Sequence, residues 1–281
     1  MLRWKIGNVS VTRVVDDEIN SIGHLLLPQA TPEAMRPIPW LSPFLDGEGK
    51  LVLSIHTLVV ESCGRRILVD TCLGNDKERP PVPQWHLRST PFLTDLANAG
   101  SPRESIDVVL CTHLHLDHVG WNTMRVDGRW VPTFPNARYL FARAEWEYWK
   151  DQPEEFGPVI TDSVRPIIDA GLADLVEMDH QLTDEVRLEP TPGHTPGHVS
   201  VHIRSAGEEA MITGDMMHHP CQIARPDWST VLDHDAEQSR RSRRGFLERC
   251  AQGPVLVIGT HFMPPTAGRI VRDGDTYRFD Y

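Results

Sequence analysis

The chain has 281 residues, 40% hydrophobic and 24% charged, enough to bury one large core and too ordinary in composition for wholesale disorder or a collagen-like repeat. Its 28 Lys and Arg against 39 Asp and Glu leave a formal net charge of −11, which repels phosphate backbones and sets nucleic acid aside as a partner. No apolar run approaches a membrane span, the amino terminus lacks the apolar stretch of a secretory signal, and the five cysteines include no CxxC pair; the sequence reads as cytoplasmic, off the membrane, with reduced, buried cysteines.

Strand-like runs dominate the first third. Asn8 to Val15 and Leu51 to Glu61 are β-branched and alternating, and a turn at Cys63-Gly64 leads into Arg66 to Asp70. Residues 21–50 carry Pro28, Pro32, Pro37, Pro39 and Pro43 beside Trp40 and Phe44. That is too much proline for a long helix or a central strand, and the segment reads as a lid-like loop with exposed aromatics. Residues 77–89, with Pro80, Pro81, Pro83 and Trp85, read the same way. Thr90 and Pro91 make an N-cap and first-turn pair for a helix ending near Gly100. A buried-type strand, Ile106 to Cys111, then runs into Thr112-His113-Leu114-His115-Leu116-Asp117-His118. Ala137 to Phe141 reads as a strand, with helices at Arg143 to Trp149 and Ser163 to Ala173. Strands return at Val186 to Glu189, Val199 to Ile203 and Ala210 to Thr213. A polar helix spans Ala236 to Ala251, and its Arg240, Arg241, Arg243 and Arg244 read as a solvated face. Val255 to Gly259 is a last buried strand leading to His261, followed by a strand-like tail, Arg269 to Tyr281. Without a repeat or a linker, residues 1–281 read as one α/β domain of several layers.

The chemistry concentrates at strand ends. Alternate residues leaving a strand point the same way, so His113 and His115 can grip one cation. Asp117 and His118, where the chain turns toward a helix, can face a second point nearby. Imidazole and carboxylate are the donor set of zinc and related borderline metals. A cluster of satisfied surface histidines is the bland alternative, and four ligand-type residues within six positions argue against it. His194 in Thr191-Pro192-Gly193-His194-Thr195-Pro196-Gly197-His198, Asp215 after Ile212-Thr213-Gly214 and His261 each follow a strand as well. No serine sits in a GxSxG nucleophile elbow.

This pattern, HxHxDH, then a His in a GH turn, a GD and a strand-end His, resembles the metallo-β-lactamase superfamily, in particular the branch holding methyl parathion hydrolase and the acyl-homoserine lactonases. Phe134-Pro135-Asn136-Ala137, Thr191 to His198 and Gly268 to Phe279 add to the resemblance, which runs from Asp70 to the carboxyl end. It implies a four-layer αββα sandwich with the site at one edge of two facing sheets. It implies that His113, His115 and His194 bind one metal, that Asp117, His118 and His261 bind another, and that Asp215 bridges them. Asp70 would hold one ligand in orientation. The cofactors implied are two divalent ions, zinc foremost. They would share a hydroxide that attacks a carboxylic ester, while Asp117 passes a proton to the leaving group.

The expected substrate is a small ester with an apolar portion, a lactone of the acyl-homoserine lactone type ahead of an open-chain ester, with an organophosphate triester as the alternative. Lactonases of the family place a tyrosine three residues after the bridging aspartate; His218 stands there and is expected to donate to the substrate oxygen in its place. Trp40, Phe44, Trp85 and Trp121 are expected to wall the apolar pocket. His198 reads as a turn histidine or one that supports a ligand, and His219 and Cys221 as pocket neighbours. A homodimer covered by residues 21–50 is the assembly expected by default. A metal-binding sensor with the same fold is the non-enzymatic reading, but such proteins usually lack a ligand and all seven are present.

Overall fold

The computed structural model describes residues 1–281. The first sheet contains β1 (Arg3–Ile6), β2 (Val9–Ile19), β3 (Leu53–Ser62), β4 (Arg65–Val69) and β5 (Val108–Leu110). A separate hairpin, β6 (Thr123–Val126) and β7 (Arg129–Pro132), intervenes before β8 (Arg138–Ala142) and β9 (Ala173–Val176) complete the sheet. Its first four strands are antiparallel; β4, β5, β8 and β9 run parallel. The second sheet holds β10 (Val186–Pro190), β11 (Val199–Ser205), β12 (Glu208–Ile212), β13 (Leu256–Ile258), β14 (Ala267–Asp273) and β15 (Thr276–Asp280) in that order. Only β12 and β13 pair in parallel there.

Side-chain alternation stacks these sheets face to face. Ile67 and Val69 of β4, Val108 and Leu110 of β5, and Leu140 and Ala142 of β8 share one buried cluster with Val201, Ile203, Ala210, Ile212 and Ile258 of the second sheet. The residues between them point outward. Helices α1 (Gly23–Leu26), α2 (Pro32–Met35), α3 (Phe92–Asn98), α4 (Leu116–Val119), α5 (Arg143–Trp149), α6 (Arg165–Asp169), α7 (Cys221–Ala224) and α8 (Ala236–Cys250) supply the outer layers. Leu68, Val109, Tyr139 and Phe141 pack with Phe92, Leu96, Trp146 and Ile167 on one side. Met211, Val257 and Phe279 pack with Phe246, Leu247 and Cys250 on the other. The fold is an αββα sandwich.

Several expectations need correcting. Residues 21–50 are no exposed lid: Leu27, Ala30, Met35, Ile38, Leu41 and Phe44 are buried in the cluster beneath the second sheet, because two one-turn helices and the 3-10 turn Pro39–Phe44 aim the apolar positions inward. The segment 77–89 is likewise anchored, since Lys77 and Arg79 are buried and both pair with Asp162. Thr90 does not cap α3; its hydroxyl donates to Asp16 at 2.8 Å and Pro91 occupies the N-cap. The helix expected over 163–173 is a π turn, Ile160–Val164, followed by the short α6, and Ala173–Val176 leaves to form β9. Cys63 is exposed whereas the other four cysteines are buried. Arg243 is fully buried, not solvated.

Candidate metal centre

The two parallel pairs decide where the centre lies. Where β4 and β5 end, the chain releases Asp70 and the run His113–His118; where β12 and β13 end, it releases Asp215 and His261. His194 arrives from the turn between β10 and β11. Facing sheets therefore deliver their strand-end residues to one edge, the usual location of sites built on parallel strands. Asp70 adopts φ +58, a left-handed conformation uncommon for a side chain other than glycine, which turns its carboxylate toward the His113–His118 loop.

His113, His115, His194 and Asp215 place ligand atoms within 4.8 Å of one another, and Asp117, His118 and His261 form a second such group. His115 Nδ1 lies 3.0 Å from His113 Nε2 and 2.9 Å from His194 Nε2. His118 Nε2 and His261 Nε2 are 3.3 Å apart. Asp215 faces both groups: its Oδ2 is 3.7 Å from His113, 3.6 Å from His194 and 3.2 Å from His118, and its Oδ1 is 3.0 Å from His261. Asp117 stands 3.7 Å from His118 and 3.6 Å from His261. His115 and Asp117 are half-buried, whereas His113, His118, His194, Asp215 and His261 are buried, so the centre opens on the side of those two residues.

These residues fit a metal. Two outer ring nitrogens are already hydrogen-bonded, His194 Nδ1 with Asp233 at 3.0 Å and His261 Nδ1 with the Ser54 carbonyl at 3.0 Å, while His118 Nδ1 lies 2.9 Å from an Asp70 oxygen as an ion-pair contact without hydrogen-bond alignment. The Thr112 N–H and hydroxyl both donate to Asp70, which leaves the hydroxyl oxygen to accept from His113 Nδ1 at 3.1 Å. With the outer nitrogens protonated, the inner ones converge as lone pairs, an arrangement that a cation relieves. Asp215 Oδ1 is buried and accepts no hydrogen bond. Burial and neighbouring imidazoles drive His113 and His115 well below the usual histidine range, so both offer neutral nitrogens. Burial also opposes the cations of His118 and His261, but Asp215, with Asp70 and Asp117 respectively, outweighs it and raises both. Burial opposes ionisation of Asp215 too, and His118, His261, His218 and His113 together hold its carboxyl well below the usual range. Positive charge is thus favoured where the two groups meet.

The other expected site residues are distributed as follows. His218 Nε2 lies 3.0 Å from Asp215 Oδ2, and its ring stacks on His261 at 5.7 Å and 14°. His198 accepts the Asp215 N–H at 2.8 Å and so holds the backbone of that residue. His219 turns away and bonds the Phe44 carbonyl at 2.9 Å. The four aromatics expected around one pocket are split between two cores: Trp85 and Trp121 pack in the cluster over the first sheet, Phe44 and Trp40 in that under the second. Trp121 stacks on Phe92 at 5.5 Å. The indole that does stand against the centre is Trp149, 5.3 Å from the His115 ring. It and Asp233 were not foreseen. Asp233 lies 39 residues from the imidazole that it holds, with no spacing signal to mark it.

Among solved structures, the fold resembles the hydrolase AbOPH of the beta lactamase superfamily, with a TM-score of 0.81 and 23% identity over 99% of this chain and 96% of that one. It also resembles AidC, a dizinc quorum-quenching lactonase in complex with a product, with a TM-score of 0.78 and 20% identity over 99% and 96% of the two chains. At such identity the likeness is one of fold. An N-acyl homoserine lactonase of Bacillus cereus is 29% identical over 114 residues, 41% of this chain and 39% of the relative. A Bacillus sp lactonase is 30% identical over 110 residues, 39% and 38% of the two. The match thus spans about two fifths of the length of these curated relatives. The sequence model of the metallo-beta-lactamase superfamily matches residues 51–259, the stretch that runs from β3 to the end of β13, and this chain belongs to that superfamily.

Proposed function

We propose that the protein is a metal-dependent hydrolase that opens a carboxylic ester, a lactone of the acyl-homoserine lactone type before an open-chain ester. The observation that carries the reading is Asp215, one carboxylate facing two complete ligand groups. The lactonase relatives and the fold likeness to AidC support the choice of substrate. His113, His115 and His194 would hold one divalent ion, Asp117, His118 and His261 another, and Asp215 would serve both; the imidazole–carboxylate donor set suits zinc. Two such ions would supply an acidified water as nucleophile and polarisation of the ester carbonyl.

The chain's own residues do the rest. Asp233 and the Ser54 carbonyl fix the tautomers of His194 and His261, so that each presents Nε2 inward, and the Asp70 carboxylate lies against Nδ1 of His118. Asp117, on the open side, is placed to take the proton that the attacking water gives up and hand it to the departing alkoxide oxygen. His218, whose Nε2 lies 3.0 Å from Asp215, would donate to a substrate oxygen entering beside that carboxylate.

The test is kcat/KM of zinc-loaded protein on an N-acyl homoserine lactone beside an aryl dialkyl phosphotriester. The lactone is expected to be favoured, and His218→Phe to lower kcat by about 100- to 1,000-fold with little change in KM, as for loss of one oxyanion donor. Preference for the phosphotriester would overturn the substrate assignment, and metal binding without turnover on any ester would favour a sensor. An unchanged kcat would reduce His218 to packing.

A further inference from the structure

We propose that Glu145 is a positioning residue that sets the distance between the loop carrying His113 and His115 and the loop carrying His194; the inference rests on reading these three as one half of the metal centre. Glu145 lies in the first turn of α5 and is 1% exposed. None of its hydrogen bonds goes to a ligand side chain, and it has no cationic partner. Its two oxygens are divided between the loops. Oε1 accepts the N–H of Leu114, the residue between His113 and His115, at 3.1 Å, and Oε2 accepts the N–H of Gly197, three residues after His194, at 2.9 Å. Oε1 also accepts the indole N–H of Trp149 at 2.7 Å, the same indole that stands beside His115.

A buried carboxylate without a cation is expensive, and an apolar side chain of that size would be the cheaper filling of a core. What an apolar side chain cannot do is accept a backbone N–H from each of two loops that share no secondary structure. The approach is close as well as polar: a Cβ on Gly197 would lie 2.3 Å from the Glu145 nitrogen and 2.7 Å from its Cα, so the His194 loop is pressed against the start of α5. One carboxylate thus ties two ligand-bearing loops to one helix.

Glutamine at this position keeps the shape but has a single acceptor oxygen; its amide N–H₂ would confront one of the two N–H groups. Glu145→Gln is therefore expected to remain folded and to bind the ion of the three-histidine half more weakly, by up to the about 10- to 100-fold that loss of a direct partner of a metal ligand costs, with the other ion retained. Glu147→Gln, on the exposed face of the same helix, is the control. The readout is zinc per chain after dialysis across a range of free zinc, with the visible spectrum of the cobalt-substituted protein to identify which ion is lost. Two ions bound with wild-type affinity by Glu145→Gln would overturn the proposal.

A second measurement needs no variant. If Glu145 sets the spacing, the Leu114 and Gly197 amides are protected from hydrogen exchange in the metal-free wild type. Rapid exchange that slows only when zinc is added would mean that the metal positions the loops, and would equally overturn it. A wild-type protein that binds no divalent ion would remove the metal centre itself, and the inference with it, a result distinguishable from either of these.

Discussion

Asp215→Asn is expected to abolish turnover and lower the occupancy of both ions at once. Four imidazoles, those of His113, His118, His194 and His218, face Oδ2 at 3.0–3.7 Å, and His261 faces Oδ1 at 3.0 Å. Asparagine preserves the volume and the backbone N–H held by His198, so the fold should survive. It removes the only charge shared by the two groups and turns N–H bonds toward nitrogens that already converge as lone pairs. Loss of an outer partner typically costs about 10- to 100-fold, and loss of a shared ligand should exceed that in kcat/KM. Metal analysis and steady-state kinetics on one preparation check it. The informative comparison is His115→Ala, which removes a nitrogen from one group only and should leave the ion held by Asp117, His118 and His261 in place. If Asp215→Asn keeps both ions, the carboxylate is not shared and the centre divides into two independent sites.

The layers of the fold and the residues gathered at its edge were legible for different reasons. Period-two alternation is a local signal, so strands such as Val199–Ser205 and Val186–Pro190 could be placed within a few residues of their ends. The dense run from His113 to His118 is also local, and the positions of Asp215 and His261 followed from the strands preceding them. Support for these residues is non-local. Asp233 reaches His194 across 39 residues, and Glu145 reaches Gly197 across 52, each through a single contact that no periodicity encodes. Residues 21–50 misled for a related reason: proline density ruled out long elements correctly, but Leu27, Met35, Leu41 and Phe44 reach the core on or beside one-turn helices and a 3-10 segment too short to show a period. The arginine-rich stretch of α8 looked solvated because arginine almost always is.

Arg243 is the exception within that stretch, and Arg243→Met should be among the most destabilising changes outside the centre. The guanidinium donates to the carbonyls of Met216, Pro226 and Trp228 at 2.8–2.9 Å and to the Ser239 hydroxyl at 3.0 Å. Burial lowers its pKa to about 10, so it remains a cation at neutral pH. Methionine recovers the cost of burying that charge but strands the Met216 and Pro226 carbonyls, at about 1–3 kcal/mol each, while the Trp228 carbonyl keeps the Gln222 amide as a donor, for a net loss of about 2 kcal/mol. Against a typical total of about 5–15 kcal/mol, that is a large share. Arg243→Lys should fare no better, because one ammonium on a single stem cannot satisfy acceptors spread around a planar fork. Urea midpoints of the metal-free proteins measure both without the stabilisation that a bound ion would add. The consequence reaches the centre: Met216 follows Asp215, and Trp228 begins the loop that ends at Asp233, so one side chain pins the segments on either side of the His194 half. A midpoint shift in Arg243→Lys as small as that of a surface substitution would show that charge, not the geometry of the fork, holds them together.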